Sequence, residues 1–295
     1  MPDTTQEPAS ETSLGRPAAS VEDPRVGIST ISFRHRTVQD ALRIIAELGA
    51  TEVDLGAIPA VVDHVPVPFT GDPASYVEAL QHHGLHGGAV NSDVGDLNDP
   101  ALAPERLTHV ASGLADLAAA VGGTLIVPCG RSSWEPFQDE ETDLQVIAGN
   151  LRLLARICAD RGVRLQVELL HHLRYVHSVE RAQKVLDVVG EEIFGLLFDV
   201  SHIVASGDDP IAWLRSCAPR VERVHLRDAV PGDLNLGIGR GQVDFASVIS
   251  ALEAARFTGT YILELETHDI AEEDREDDAA RSRAEILRLL ARNHR

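Results

Sequence analysis

Four apolar runs in the second half of the chain end in side chains that can bind a hard cation or carry a proton. RLQVELL (164–170) holds Glu168, followed by His171 and His172; FGLLFDV (194–200) holds Asp199, with Ser201 and His202 just beyond. RVERVHL (220–226) holds His225, with Arg227 and Asp228 next, and TYILELE (260–266) holds Glu264 and Glu266. Taken singly, a Glu or His at such a place is as readily a solvated loop residue. Four in succession are different, because each lies in or directly after an apolar segment, where an unpaired charge is costly. Lys184 is the one lysine of the chain, so ammonium partners are scarce and a divalent metal is the simplest counter-charge. Glu168, Asp199, His225 and Glu264 supply three carboxylates and one imidazole, mostly hard donors that suit Mn²⁺, Mg²⁺ or Co²⁺ and also accommodate Zn²⁺. An octahedral ion on such a set keeps positions open for vicinal oxygens of a sugar or hydroxyketone.

These runs belong to a longer alternation. VGISTIS (26–32), TEVDLGA (51–57), HGGAV (86–90) and TLIVPC (124–129) precede them, and amphipathic segments over 37–50, 103–121, 140–161, 178–190, 209–217, 244–257 and 278–293 fall between and after the runs. The segment TVQDALRIIAELGA shows the pattern: Val38, Ala41, Leu42, Ile45 and Leu48 recur at helical spacing and Gly49 is a stop. The short runs are continuously apolar, as parallel strands buried on both faces are. Eight strand candidates, with amphipathic segments between and after them in order, predict an α/β fold, a single (β/α)₈ TIM barrel, which typically needs about 250 residues. The barrel is expected over 25–295. Residues 1–24, polar and rich in Pro, Ser, Thr and Glu, read as a disordered tail without the apolar stretch of a signal peptide.

The chain has 295 residues, 44% hydrophobic and 24% charged, an ordinary globular mix. Forty-six acidic against 26 basic residues give a net charge of −20, which repels a nucleic-acid partner at long range. No apolar run approaches the ~18 residues of a membrane helix. Cys129, Cys158 and Cys217 form no CxxC, so they read as small buried hydrophobes in a reducing cytoplasm.

The motifs VELL (167–170), DVSH (199–202), VHLRD (224–228), GIGRGQVDF (237–245) and GTYILELE (259–266) give the chain, over about 26–293, a sequence that resembles the xylose isomerase-like superfamily. That group includes ketose 3-epimerases, hydroxypyruvate isomerases, inosose dehydratases and type IV endonucleases. The resemblance implies Glu168, Asp199, His225 and Glu264 as metal ligands and Glu168 and Glu264 as the acid and base on opposite faces of the substrate. It implies His202 as the residue bonded to the carbonyl or enediolate oxygen, and Arg227 as an orienting residue. Alternation cannot separate Glu264 from Glu266, which share parity; the spacing from Gly259 in the family favours Glu264. Departures also inform. The D-x-H element of the endonucleases falls on Asp233, Leu234 and Asn235, and a further histidine position on Asn91, so their metal set is broken. Asp54 stands where many members have a glutamate.

Substrate contacts are expected from His202, Arg227, His171, Asn91 and His64. His64, beside Asp63, lies in a proline-stiffened loop after the second strand. Arg174, His35 and Arg240 are lesser candidates, and GIGRG reads as a turn, since its spacing is not that of a phosphate loop. The expectation is a divalent-metal-dependent sugar isomerase or epimerase, with Mn²⁺ as the ion, acting on a keto-sugar or related polyol ketone through a metal-stabilised enediolate. Its partners are a small carbohydrate and copies of itself, with no nucleic acid and no membrane, in the cytoplasm. On the same scaffold a lyase, an inosose-type dehydratase or C-glycoside-cleaving enzyme, would use the same enediolate. A third class is a sugar-binding protein that kept the barrel but lost turnover; the complete set of four ligand types argues against it.

Overall fold

Apolar runs that alternate with amphipathic segments can bury both faces of every strand only by layering helices against a parallel sheet. The computed structural model describes residues 23–190 and 192–293. In chain order it contains β1 (Val26–Ser29), α1 (Val38–Glu47), β2 (Glu52–Ala57), α2 (Pro73–His82), β3 (His86–Ser92), α3 (Pro104–Val121) and β4 (Thr124–Pro128). Then follow α4 (Glu140–Ala159), β5 (Leu165–Glu168), α5 (Val179–Val189), β6 (Gly195–Asp199), α6 (Val200–Ala205), α7 (Pro210–Cys217) and β7 (Val221–Leu226). A short hairpin, β8 (Asp228–Val230) and β9 (Asp233–Leu236), precedes α8 (Phe245–Ala254), β10 (Thr260–Leu263) and α9 (Arg275–Asn293). Eight parallel strands close into a barrel in the order β1-β10-β7-β6-β5-β4-β3-β2, the expected TIM barrel. Of the tail expected over 1–24, residues 1–22 lie outside the described residues; Asp23 accepts from Arg25 at 2.8 Å.

Side-chain alternation divides the strands. On β6, Leu196 and Phe198 face the helices and join the main core, while Leu197 packs with Ala89 and Ile126 as a small apolar belt inside the barrel. The same parity carries Gln166 and Glu168 of β5, and Arg223 and His225 of β7, inward. The helices start on side chains that satisfy their free N–H groups: Thr37 before α1, Asp72 before α2, Asp139 before α4, Ser178 before α5, Asp209 before α7 and Asp244 before α8. Each such cap contributes about 1 kcal/mol. Cys129, Cys158 and Cys217 are free and buried, and burial pushes their thiols up to about 12. No helix among the described residues is long and apolar enough to cross a membrane.

The structure trims several expected elements. β1 stops at Ser29 because Thr30–Phe33 turn into a 3₁₀ segment capped by the Ser29 hydroxyl, and β5 stops at Glu168. Between β2 and β3, where no amphipathic segment is expected, the structure adds α2, Pro73–His82. The hairpin β8–β9 occupies what the sequence left as a plain loop, and GIGRG follows it as a turn in which Gly239 takes φ +87°.

Candidate active site

β6 and β7 place Asp199 directly beside His225 in their ladder, and Glu168 is the last residue of β5. β10 ends at Leu263, yet the Glu264 N–H still bonds the Leu226 carbonyl at 3.2 Å, so the side chain keeps its inward course. All four residues are buried. Glu168, Asp199 and His225 each offer one ligand atom, and these lie within 4.8 Å of one another. Glu264 joins through Oε2, 3.2 Å from His225 Nδ1.

The ring of His225 is set from behind. Its Nε2 lies 3.1 Å from Asp54 Oδ2, and a carboxylate can only accept, so Nε2 carries the proton. Nδ1 then faces the other three residues; it is buried and without an aligned hydrogen-bond partner, as is Glu168 Oε1. Burial disfavours the charged ring, but the Glu264 and Asp54 carboxylates outweigh it and push His225 up to about 10. Burial, with the charges of Asp199 and Glu264, pushes Glu168 up to about 8. Against the same burial, Arg227 and His225 hold Asp199 and Glu264 below the usual carboxylate range.

Glu168, His171 and His202 form a second group of ligand-type atoms within 4.8 Å, and hydrogen bonding distinguishes it from the first. His171 Nδ1 accepts the Leu173 N–H at 3.3 Å, and His202 Nδ1 accepts the His172 N–H at 3.1 Å. Burial holds both rings far below the ordinary histidine range, so both are neutral. A neutral ring that accepts at Nδ1 carries its proton on Nε2. Both Nε2 atoms point at Glu168, at 4.0 and 3.5 Å. They are donors there, whereas His225 presents a nitrogen that can give up its proton to a cation. Two orphaned buried atoms within a cluster of carboxylates fit a divalent ion on Glu168, Asp199, His225 and Glu264.

Arg227 is a permanent cation that the chain itself supplies to the cluster. Its Nη2 bonds Asp199 Oδ2 at 2.8 Å and lies 3.3 Å from Glu264 Oε2; its Nε donates to Ser201 Oγ at 2.9 Å. Nη2 also sits 2.8 Å from His202 Nε2, where donor meets donor. The carboxylates thus have an arginine partner as well as room for a metal, which the scarcity of lysine does not foretell.

A cavity of about 400 Å³ opens above this cluster. Glu168, His171, His202, Arg227 and Asn91 line it. Asp199, His225 and Glu264 do not; Arg227, which does, contacts Asp199 and Glu264. Asn91 Nδ2 donates to Glu264 Oε1 at 2.9 Å. His64 is not brought to the cavity: its Nε2 lies 3.0 Å from the Arg36 carbonyl and its own carbonyl accepts from the Tyr76 hydroxyl, so the loop uses it for packing. Arg174 lines the cavity, paired with Asp93 and donating to the Gly130 carbonyl. Burial separates what parity could not: Glu264 turns to Asn91 and His225, whereas Glu266 stays at the rim, 3.3 Å from both Arg34 and Arg227. Sequence reasoning gave no role to Asp54, Ser201 or Asp93. Asp54 carried a signal, a carboxylate inside the apolar run of β2; the other two carried none.

The family model for the xylose isomerase-like TIM barrel matches residues 42–290. A curated inosose dehydratase of Geobacillus kaustophilus is 25% identical over 247 residues, 76% of this chain and 75% of its own length. One from Clostridium botulinum is 28% identical over 149 residues, 44% of this chain and 49% of its own length, so the chain spans about half of that relative. Among solved structures, L-ribulose 3-epimerase superposes with a TM-score of 0.74 at 17% identity, over 91% of this chain and 95% of that one. The IolI protein, solved with a zinc atom, superposes at 0.73 and 16% identity, over 89% and 97%. At such identities these structures speak for the fold.

Proposed function

Because the chain belongs to the xylose isomerase-like TIM barrel family, we propose that it is a divalent-metal-dependent enzyme that moves a proton beside the carbonyl of a keto-sugar or related polyol ketone. Glu168, Asp199, His225 and Glu264 would hold the ion, which when bound supplies Lewis acidity for the carbonyl oxygen. Mn²⁺, Mg²⁺, Co²⁺ and Zn²⁺ all suit this donor set, and the zinc in the IolI protein supports a divalent ion without favouring manganese.

The observation that carries this reading is a pair of buried carboxylates, Glu168 and Glu264, that converge on one imidazole from β5 and from the end of β10, with β6 and β7 between them in the barrel order. A carboxylate on each side of a bound ketone can take a proton from one face and return one to the other. His225 and Arg227 keep Glu264 ionised, and Asn91 aims it. The Nε2–H groups of His171 and His202 face Glu168, and His202 is placed to donate to a substrate oxygen. Arg227 and Arg174 orient the hydroxyls.

The enediolate so formed has two fates, reprotonation to an isomer or loss of a β-hydroxyl. The dehydratase branch has its own support in the inosose dehydratase that matches three quarters of this chain. Deuterium uptake from D₂O, with a panel of ketoses and inososes and the Mn²⁺-loaded protein, tests the common step. Uptake next to the carbonyl is expected, and a stereoisomer or an unsaturated ketone as product assigns the branch. Absence of uptake from every compound would overturn the reading.

A further inference from the structure

The described residues expose four large apolar side chains, Val61 (38%), Trp134 (50%), Phe137 (36%) and Leu173 (53%). All lie on loops that follow strands at the catalytic end: Val61 after β2, Trp134 and Phe137 after β4, Leu173 after β5. Scattered single exposures need no explanation, but a gathering on one face does, the more so on a chain with a net charge of −20. Val61 and Leu173 also line the cavity, together with Ile58 and with Leu234 of the β8–β9 hairpin. The cavity therefore has a polar floor and a mouth in which Ile58, Val61, Leu173 and Leu234 form an apolar side next to the polar Ser132, Asn235 and Glu266. Trp134 continues the mouth outward: its indole N–H donates to the carbonyl of His172, next to Leu173, at 2.6 Å, and its ring stacks on His177 with centroids 4.3 Å apart.

A free ketose or inosose carries hydroxyls around its whole ring. The floor can satisfy those on the inner edge. Those turned toward Val61 and Leu173 would meet carbon without a hydrogen-bond partner, which is costly. We infer that the substrate is a polyol ketone that bears an apolar substituent, aryl or alkyl, lying between Val61 and Leu173 while its polyol ring reaches Glu168. The inference rests on the proton-transfer reading above and narrows its substrate class. The volume of about 400 Å³ lies in the range that holds ligands larger than a single sugar, roughly 300–1,000 Å³. A second copy of the chain is the weaker occupant: a stable interface takes roughly 20–30 residues a side, and two of the four exposed side chains already belong to the cavity wall.

The test compares methyl and phenyl β-D-glycosides with gluco, galacto and manno heads, binding to the full-length protein with Mn²⁺ present. Titrations are followed by calorimetry and by the fluorescence of Trp134, with the buried Trp213 as the insensitive second emitter. In at least one pair the phenyl glycoside is expected to bind about tenfold or more tightly than the methyl one and to shift the Trp134 emission. The exposed-site variants Leu173→Ser and Val61→Ser are expected to erase that preference. No phenyl preference in any pair, or a preference that survives both variants, would overturn the inference. So would a sedimentation result in which the wild-type chain self-associates and Leu173→Ser does not, since the mouth would then be a contact between copies. Deuterium uptake by small ketoses reports on the proton-transfer reading separately, so failure of one is distinguishable from failure of the other.

Discussion

Two ionic layers share the inside of this barrel, and they are finished differently. Toward the N-terminal ends of the strands, Arg223 donates Nε to Gln166, Nη1 to Asp54 at 2.9 Å and Nη2 to the Gly88 carbonyl, with Glu52 3.0 Å away. Every guanidinium nitrogen there has an acceptor. Above the belt of Ala89, Ile126 and Leu197, Glu168, Asp199 and Glu264 surround His225 and Arg227, and Glu168 Oε1 and His225 Nδ1 have no aligned hydrogen-bond partner. The residue types are alike. The lower layer closes on itself and serves the fold; the upper one is left with acceptors to spare, and a surplus of that sign marks where an added cation belongs. Asp54 belongs to both, one oxygen on Arg223 and the other on His225.

Removing the carboxylates of the upper layer should have the largest effect. Glu168→Gln and Glu264→Gln are each expected to lower deuterium exchange by about a hundred- to ten-thousandfold with little change in thermal midpoint. A collapse of the fold in both would mean that the upper layer, too, is structural. Arg223→Met is the converse. It leaves Glu52 and Asp54 Oδ1 without their arginine and should destabilise the protein by about 3–5 kcal/mol in urea unfolding, while the folded fraction still binds metal; unaltered stability would erase the distinction between the layers. Asp54→Asn probes the shared residue. An amide can still accept from Arg223 but no longer fixes the His225 proton as firmly, so metal affinity by calorimetry should fall about 10–100-fold.

The remaining effect is one of pH. Glu168 is pushed up to about 8, above its unfolded value of about 4.3, so the folded metal-free chain holds a proton that the unfolded chain has lost. That contribution is complete below the unfolded value and disappears as pH rises toward 8. Urea midpoints of the metal-free protein should therefore fall between about pH 5 and 8, and added Mn²⁺, by replacing the proton, should flatten the slope. Parallel slopes with and without metal would contradict the assignment of Glu168 to the ion site.

The fold was legible where burial on both faces turned strands into uninterrupted apolar runs, and so were Glu168, Asp199, His225 and Glu264, as charges set against those runs. What stayed hidden depends on direction. Nothing in VHLRD tells that Arg227 bends back over Asp199, or that His64 turns to the Arg36 carbonyl. The hairpin β8–β9 has strands too short to show a period, and Asp54 acquires meaning only when closure of the barrel brings β2 across from β7.

Asp199 also caps α6: its Oδ1 accepts the N–H groups of Ser201 and His202 at 2.8 and 3.3 Å and the Ser201 hydroxyl at 2.6 Å. The side chain is thus a structural tenant as well as a chemical one. A copy of this barrel that drifted into silence would be held to its aspartate by the helix it starts, long after the reaction had lapsed. Glu168, which holds no backbone amide among the described residues, would be free to change first, so that in any sister sequence the glutamate of VELL at the end of strand five, and not the aspartate of DVSH, would record whether turnover survives.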